Sequence, residues 1–339
     1  LPADLAADAA ASARLGVDVR FHGADWVAIR DRVFGRIDAI SRGGREYRAS
    51  GTAGLTLIEG TARFTGERRL DVELPDGTVR SITAPNVLVA VGSRPVAPDI
   101  PGLSESGCHT SDSIMRLDEF PARLGVIGGG FIAAEMGHVF ASLGSRVTLF
   151  NRSMGMLTHH DFDIATRFTE LFGQRVDLRL GRVPDSITSA PDGSIVLHDP
   201  RVEPVAVDAL LVATGRRPNS DLIDAEAGGL TVDDDGMIEV DAQMRTNVPG
   251  VWAIGDVANE WQLKHVANEE ARVAFWNIAH PDEPREVDHS AVPSAVFSHP
   301  QIATVGLTEQ AALADGRDVV IGHRDYGGTA YGWALADET

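Results

Sequence analysis

Cysteine is nearly missing from this sequence. Cys108 is the only one in 339 residues, which excludes an intrachain disulfide and makes a reducing cytoplasm the expected compartment. Lysine is as scarce: Lys264 stands alone, and arginine supplies the remaining positive charge. Positive charge itself is short, with 30 Lys and Arg against 49 Asp and Glu and a net charge of −19. That balance argues against nucleic acid and anionic membranes as partners, and for plain solubility. No apolar run approaches the roughly 20 residues of a membrane span, and the opening residues do not read as a signal peptide. No metal site is expected.

What is present centres on residues 123–152, RLGVIGGGFIAAEMGHVFASLGSRVTLFNR. Residues 124–127 form a short apolar strand. Gly128, Gly130 and Ala133 follow in G-x-G-x-x-A spacing, then a helical run over 131–143 stopped by Gly144, then a second strand over 146–150. Strand, glycine turn, helix and strand make the βαβ unit that holds a dinucleotide. Gly128 lets the chain turn sharply, and Gly130 lets backbone amides approach a pyrophosphate. Ala133 is small enough for the helix to pack close on the strand. The free N–H groups and positive dipole end of the helix favour the anion. Three glycines alone would be weak evidence, since they also make loops; the flanking elements decide for nucleotide binding. At the end of the second strand an acidic residue would accept from the ribose hydroxyls of NAD. Asn151 and Arg152 stand there instead, and an Arg can pair with a 2′-phosphate, which favours NADPH over the bland reading of a solvated surface Arg.

Along the chain, residues 3–14 read as an alanine-rich helix ended by Gly16. Trp26, Ile29, Val33, Ile37 and Ile40 fall on one helical stripe with Asp25 as N-cap, weakened by Gly43 and Gly44. Residues 55–58 read as a strand followed by a turn at 60–62. Residues 70–74 and 79–82 form a hairpin around Pro75-Asp76-Gly77. Residues 86–91, 175–180, 194–198 and 209–213 read as further strands, and 162–171 and 267–279 as helices. Thr308 is placed to cap a last helix. Two similar phrases, VLVAVGSRP and LLVATGRRPN, flank the βαβ, and each is a buried strand breaking at a glycine.

Four runs then name a family: residues 128–135, ATGRRPN at 213–219, VWAIGDV ending the strand at Asp256, and FSHPQIATVGLTE at 297–309. In order and spacing they resemble the flavoprotein pyridine-nucleotide disulfide oxidoreductases. The finer wording of VFGRID, LKHVANEEARV, PQIATVGLTE and YGGTAYGWA is most similar to the mycothione reductase branch. The resemblance implies an α/β fold with tandem Rossmann-like dinucleotide-binding domains, an incomplete FAD domain and a complete NAD(P) domain, plus the start of an α+β dimerisation domain. Its boundaries fall at 1–119 and 247–290 for the FAD domain, 120–246 for the NAD(P)H domain and 291–339 for the interface domain.

The resemblance also implies cofactors and roles. FAD and NADPH would pass electrons to a small-molecule disulfide, mycothione, in a homodimer. Gly128, Gly129, Gly130, Ile132, Ala133, Glu135, Arg152, Gly215 and Ala295 match positions that touch NADPH, with Glu135 near the nicotinamide amide. Ala62 matches a contact to the FAD adenine, Asp256 the carboxylate on the ribityl chain, and Lys264 and His265 the helix start facing the flavin pyrimidine. The bland alternative for Asp256 is a turn cap. Three family features find no match: a first G-x-G-x-x-G for the FAD pyrophosphate, the redox Cys pair, and the C-terminal His-Pro motif. The expectation is therefore an internal fragment with no catalytic residue of its own, inactive as given. The family's second 2′-phosphate Arg would fall at Thr158, beside His159 and His160. Cys108 reads as a small packed residue, not a redox centre. The rivals are an NAD-linked dihydrolipoamide dehydrogenase-like enzyme and a nucleotide-binding module without turnover.

Overall fold

The computed structural model describes residues 1–337. Its helices are α1 (Pro2–Ala11), α2 (Trp26–Ala49), α3 (Phe131–Ser142), α4 (Phe162–Gly173), α5 (Lys264–Ala279), α6 (Glu309–Ala314) and α7 (Ala330–Ala334). The strands run from β1 (Thr61–Gly66), β2 (Arg69–Glu73), β3 (Val79–Thr83), β4 (Val87–Val89) and β5 (Ser93–Pro95) to β6 (Arg123–Ile127), β7 (Arg146–Asn151) and β8 (Asp177–Leu180). They continue with β9 (Ser186–Ser189), β10 (Ile195–Asp199), β11 (Val202–Val207), β12 (Ala209–Val212), β13 (Arg216–Pro218), β14 (Val251–Ala253), β15 (Pro293–Val296) and β16 (Ile302–Val305). The chain divides into two compact units. The first holds Leu1–Val33, Ala97–Gly215 and the stretch from Pro293 onward; the second holds Phe34–Val96 and Arg216–Val292.

The first unit is built on a parallel sheet ordered β12-β6-β7-β8. Leu124, Val126, Leu149, Leu210 and Leu211 are wholly buried in it. Strands covered on both faces must be apolar throughout, which is why they read as unbroken hydrophobic runs. α3 lies against the sheet, and α4 closes on α3 where Gly137 has no side chain: a Cβ there would stand 3.0 Å from the ring of Phe172. Trp26 packs its ring 5.4 Å from those of Phe120 and Phe140 and donates its indole N–H to the Leu117 carbonyl at 2.8 Å. Asp25 caps α2 through the Ala28 N–H at 2.9 Å. α1 is tied to α3 by Asp4, whose carboxylate lies 2.9 Å from Nε2 of the buried His138. A meander of β9, β10 and β11 and the antiparallel pair β15–β16 complete the unit.

The second unit has an antiparallel meander β1-β2-β3, a parallel pair β4–β14, an antiparallel pair β5–β13 and α5. Its core gathers Phe64, Val89, Ile223, Ile238, Val251, Ala253 and Val257.

Some elements differ from the sequence reading. Residues 55–58 pair with no strand and take no regular form, whereas the expected turn at 60–62 opens β1. A residue pattern cannot supply the neighbour that a strand needs. α2 runs through Gly43 and Gly44 to Ala49, since a glycine weakens a helix by only about 1 kcal/mol. β9 and β11 escape the reading. β11 carries Pro204 and is an edge strand, where the missing N–H costs no ladder bond. The hairpin at 70–82, the βαβ and the Thr308 cap, accepting from the Ala311 N–H at 3.2 Å, form as expected.

Candidate functional site

Each glycine of the central turn has its own physical reason. Gly128 has φ +137°, and a Cβ on it would overlap the Ala213 carbonyl at the end of β12. A Cβ on Gly129 would overlap the Asn151 side chain, and the Gly129 carbonyl accepts from the Leu157 N–H at 2.8 Å. Gly130, the N-cap of α3, meets nothing: a Cβ there would enter open space. No side chain caps α3, so the N–H groups of its first turn lack intrahelical acceptors and carry the positive dipole end. A phosphate pair fits such a place, because it needs donors and an unobstructed approach. Ala133 is fully buried beneath the turn, and Ile132 is half-buried beside it.

β7 ends at the buried Asn151, whose amide donates to the Gly155 carbonyl at 2.8 Å and shapes the loop that follows. Arg152 is exposed and makes no hydrogen bond or ion pair among the described residues. Thr158 and His159 are exposed close by in sequence; His160 is half-buried, and burial first, then the charge of His159, pushes its imidazole pKa down. Glu135, half-buried on α3, accepts the Phe297 N–H at 2.9 Å. Burial pushes its carboxyl up, and the Phe297 bond pulls the other way. That contact brings α3 to the end of β15, where Ala295 lies exposed opposite Ala303. Gly215, with φ +129° and open space at its Cβ direction, follows the exit of β12. All the positions read as nucleotide contacts therefore belong to the first unit.

The positions read as flavin contacts belong to the second. Asp256 follows β14, and its Oδ2 accepts from the Ser93 hydroxyl at 2.7 Å. Arg216 donates from Nε to the same hydroxyl and from Nη2 to the Ser93 carbonyl, both at 2.8 Å. With Arg216 donating to it, Ser93 must turn its proton to Asp256, which leaves Oδ1 to accept from hydroxyls elsewhere. Lys264 and His265 open α5 and are exposed, and no side chain caps that helix at Leu263. A carboxylate acceptor beside an uncapped sixteen-residue helix start suits a polyhydroxyl chain joined to an electron-poor ring. Ala62 sits on β1 opposite Val72.

Sequence reasoning missed Ser93, Arg216 and the buried Glu270. The signal was present: the twin phrases VLVAVGSRP and LLVATGRRPN meet as β5 and β13, with Ser93 opposite Pro218 and Pro95 opposite Arg216. Cys108 is half-buried against the cluster of Ile100, Ile187 and Leu210. Among the described residues no group of His, Cys, Asp and Glu is arranged to hold a metal ion. No helix there is long and apolar enough to cross a membrane.

The profile of the pyridine nucleotide-disulphide oxidoreductases matches residues 9–271. The chain belongs to that family. The profile of the family's dimerisation domain matches residues 292–339. Mycothione reductase of Mycobacterium tuberculosis (strain ATCC 25618 / H37Rv) is 42% identical over 344 aligned positions, covering 99% of this chain and 73% of that protein. Dihydrolipoyl dehydrogenase of Halobacterium salinarum is 38% identical over 277 positions, 79% of this chain and 58% of that one. Among solved structures, the HOCl-induced flavoprotein disulfide reductase RclA of Escherichia coli superposes with a TM-score of 0.81 at 26% identity, covering 93% of this chain and 71% of that one. Family membership brings FAD and a nicotinamide nucleotide as cofactors and oxidoreduction of disulfides as the chemistry.

Proposed function

We propose that this chain is the nucleotide- and flavin-holding part of an NADPH-dependent flavoenzyme that reduces mycothione to mycothiol. The substrate rests on one observation, the 42% identity with mycothione reductase across 99% of the chain. In this reading Gly128, Gly129, Gly130, Ile132 and Ala133 form the cradle for the NADPH pyrophosphate. Arg152 pairs with the 2′-phosphate, and Glu135 accepts from the nicotinamide amide. Gly215 and Ala295 offer backbone groups to the same nucleotide. On the flavin side Ala62 lies at the adenine, Asp256 accepts from the ribityl hydroxyls, and Lys264 and His265 face the pyrimidine edge. The bound nucleotide and flavin supply hydride and electron transfer; the chain binds, orients and shields them. We place the FAD domain at 1–119 and 247–290, the NAD(P)H domain at 120–246 and the interface domain at 291–339, in a cytoplasmic homodimer.

An NAD-linked dihydrolipoamide dehydrogenase-like enzyme is the second reading, favoured by the 38% identity with the haloarchaeal dihydrolipoyl dehydrogenase. It calls for an acidic residue at the end of β7, where Asn151 and Arg152 stand. The test is steady-state turnover of the natural gene product, purified with its flavin, on mycothione and lipoamide, each with NADPH and NADH. The proposal expects mycothione with NADPH to give the highest kcat/KM. A preference for lipoamide with NADH would replace it with the second reading, and nucleotide binding without turnover on either would leave a binding module.

A further inference from the structure

Glu270 is a carboxylate with no role in the reading above, yet it is 1% exposed. A carboxylate is buried at a cost of several kcal/mol unless donors surround it, so its partners show what it holds. Its Oε2 accepts from the Gly255 N–H at 2.7 Å. The Asn259 amide donates to both of its oxygens at 2.9 Å. His289 Nε2 lies 3.2 Å from Oε1.

Two of those partners belong to the turn after β14, where the Asn259 N–H donates to the Gly255 carbonyl at 3.1 Å, and His289 comes from a later segment. Gly255 is the positive-φ turn between β14 and Asp256, and its Cβ direction points at Ala267 of α5, 3.4 Å away. Asn259 accepts on its other end from the Trp261 and Gln262 N–H groups at 2.9 and 3.3 Å, which shapes the loop leading into Lys264. One side chain on α5 thus grips the residue before Asp256 and the loop before Lys264 and His265. Meanwhile Ser93, itself bound by Arg216, donates to Asp256.

We propose that Glu270 is the positioning residue of the flavin site: it sets the Asp256 carboxylate and the start of α5 at a fixed separation, so that both engage one flavin. This rests on the flavin reading given above. Glu270 touches no cofactor itself. Gln at 270 keeps the shape but turns one acceptor into a donor, so either the Gly255 N–H loses its acceptor or the Asn259 amide keeps one of its two acceptors and faces a donor at the other. Asn259→Ala removes the second grip while leaving the carboxylate and the Gly255 bond.

The experiment uses the natural gene product stripped of flavin and titrated with FAD, following flavin fluorescence and the visible spectrum of the bound form. NADPH binding serves as a check on folding of the first unit. Glu270→Gln should weaken FAD about tenfold or more, the size given by loss of a hydrogen bond to a charged group. It should also shift the visible band of the flavin that does bind. Asn259→Ala should weaken FAD in the same direction, and it carries the test if Glu270→Gln proves insoluble. Glu269→Gln, at an exposed neighbour paired with Arg272 at 2.7 Å, should change neither. A lower melting temperature with unchanged FAD affinity and spectrum in Glu270→Gln, or in Asn259→Ala where it stands in, would make Glu270 a stability residue and overturn the inference alone. Wild-type protein that takes up no FAD would overturn the flavin reading itself, and the inference with it.

Discussion

The turn at Gly128–Gly130 and the turn at Gly255–Asp256 look alike in sequence: each is an apolar strand, a glycine and a helix. They are built differently. The first is nearly complete within about thirty residues of chain, since β6, α3 and β7 supply the strands, the glycine turn and the helix dipole. Its polar groups point outward from a sheet whose strands are buried on both faces. The second draws its parts from far apart. Ser93 and Asp256 are 163 residues apart and meet at 2.7 Å. Arg216 comes from a third segment, and Glu270 from a helix that follows. A site made from one supersecondary unit depends on backbone shape. A site made from scattered segments depends on the side chains that tie them, and its weak points are polar.

That contrast makes the backbone of the first site the most sensitive place. Gly128→Ala would combine a φ of +137° with overlap against the Ala213 carbonyl, a loss of ~4 kcal/mol or more. Denaturant unfolding should show it, and nucleotide binding should vanish with little change in FAD content. Retention of nucleotide binding by this variant would mean that the turn is not shape-limited.

At the second site the largest effect should come from a polar change. Asp256→Ala removes the acceptor held by Ser93 and should yield natural gene product depleted of FAD, read from its visible absorbance. A loss of ~1.5–3 kcal/mol is expected from a charged hydrogen bond. A fully yellow variant would remove Asp256 from the flavin site.

Arg152→Ala sharpens the comparison within the first site, because it leaves the backbone untouched. It should weaken NADPH by about 1.5–3 kcal/mol and leave NADH nearly unchanged, measured by titration of each nucleotide. Equal losses with both would show that Arg152 does not read the 2′-phosphate.

The smallest effect concerns acid stability in the second unit. Arg94 donates two bonds to Asp221, at 2.8 and 2.7 Å, and holds its carboxyl at about 2, below the ordinary 3.8. A depressed folded pKa means that the contribution is present above the ordinary pKa and is lost as pH falls toward 2. Asp221 is 38% exposed, so solvent screening keeps its worth to about 1 kcal/mol or less. Asp221→Asn should flatten the acid limb of the unfolding midpoint between about pH 4 and 2 and shift the neutral midpoint slightly. An unchanged acid limb would show the pair to be inert.

What was legible in the sequence was what is local. The period and glycine spacing of residues 123–152 specify a strand, turn and helix, because backbone sterics and burial on two faces act over a few residues. The same locality made the hairpin at 70–82 and the Asp25 and Thr308 caps readable.

What only the tertiary structure decided is which distant groups meet. Residues 55–58 have strand-like composition and no partner, while β9 and β11 have weak composition and are held by the β10 ladder. The proton direction of Ser93 between Arg216 and Asp256 and the burial of Glu270 under Gly255 and Asn259 have no local signature. A hydrogen bond between residues 163 positions apart follows from how whole strands pack. The residue types along the chain admit many such pairings, and the closing of a core selects one.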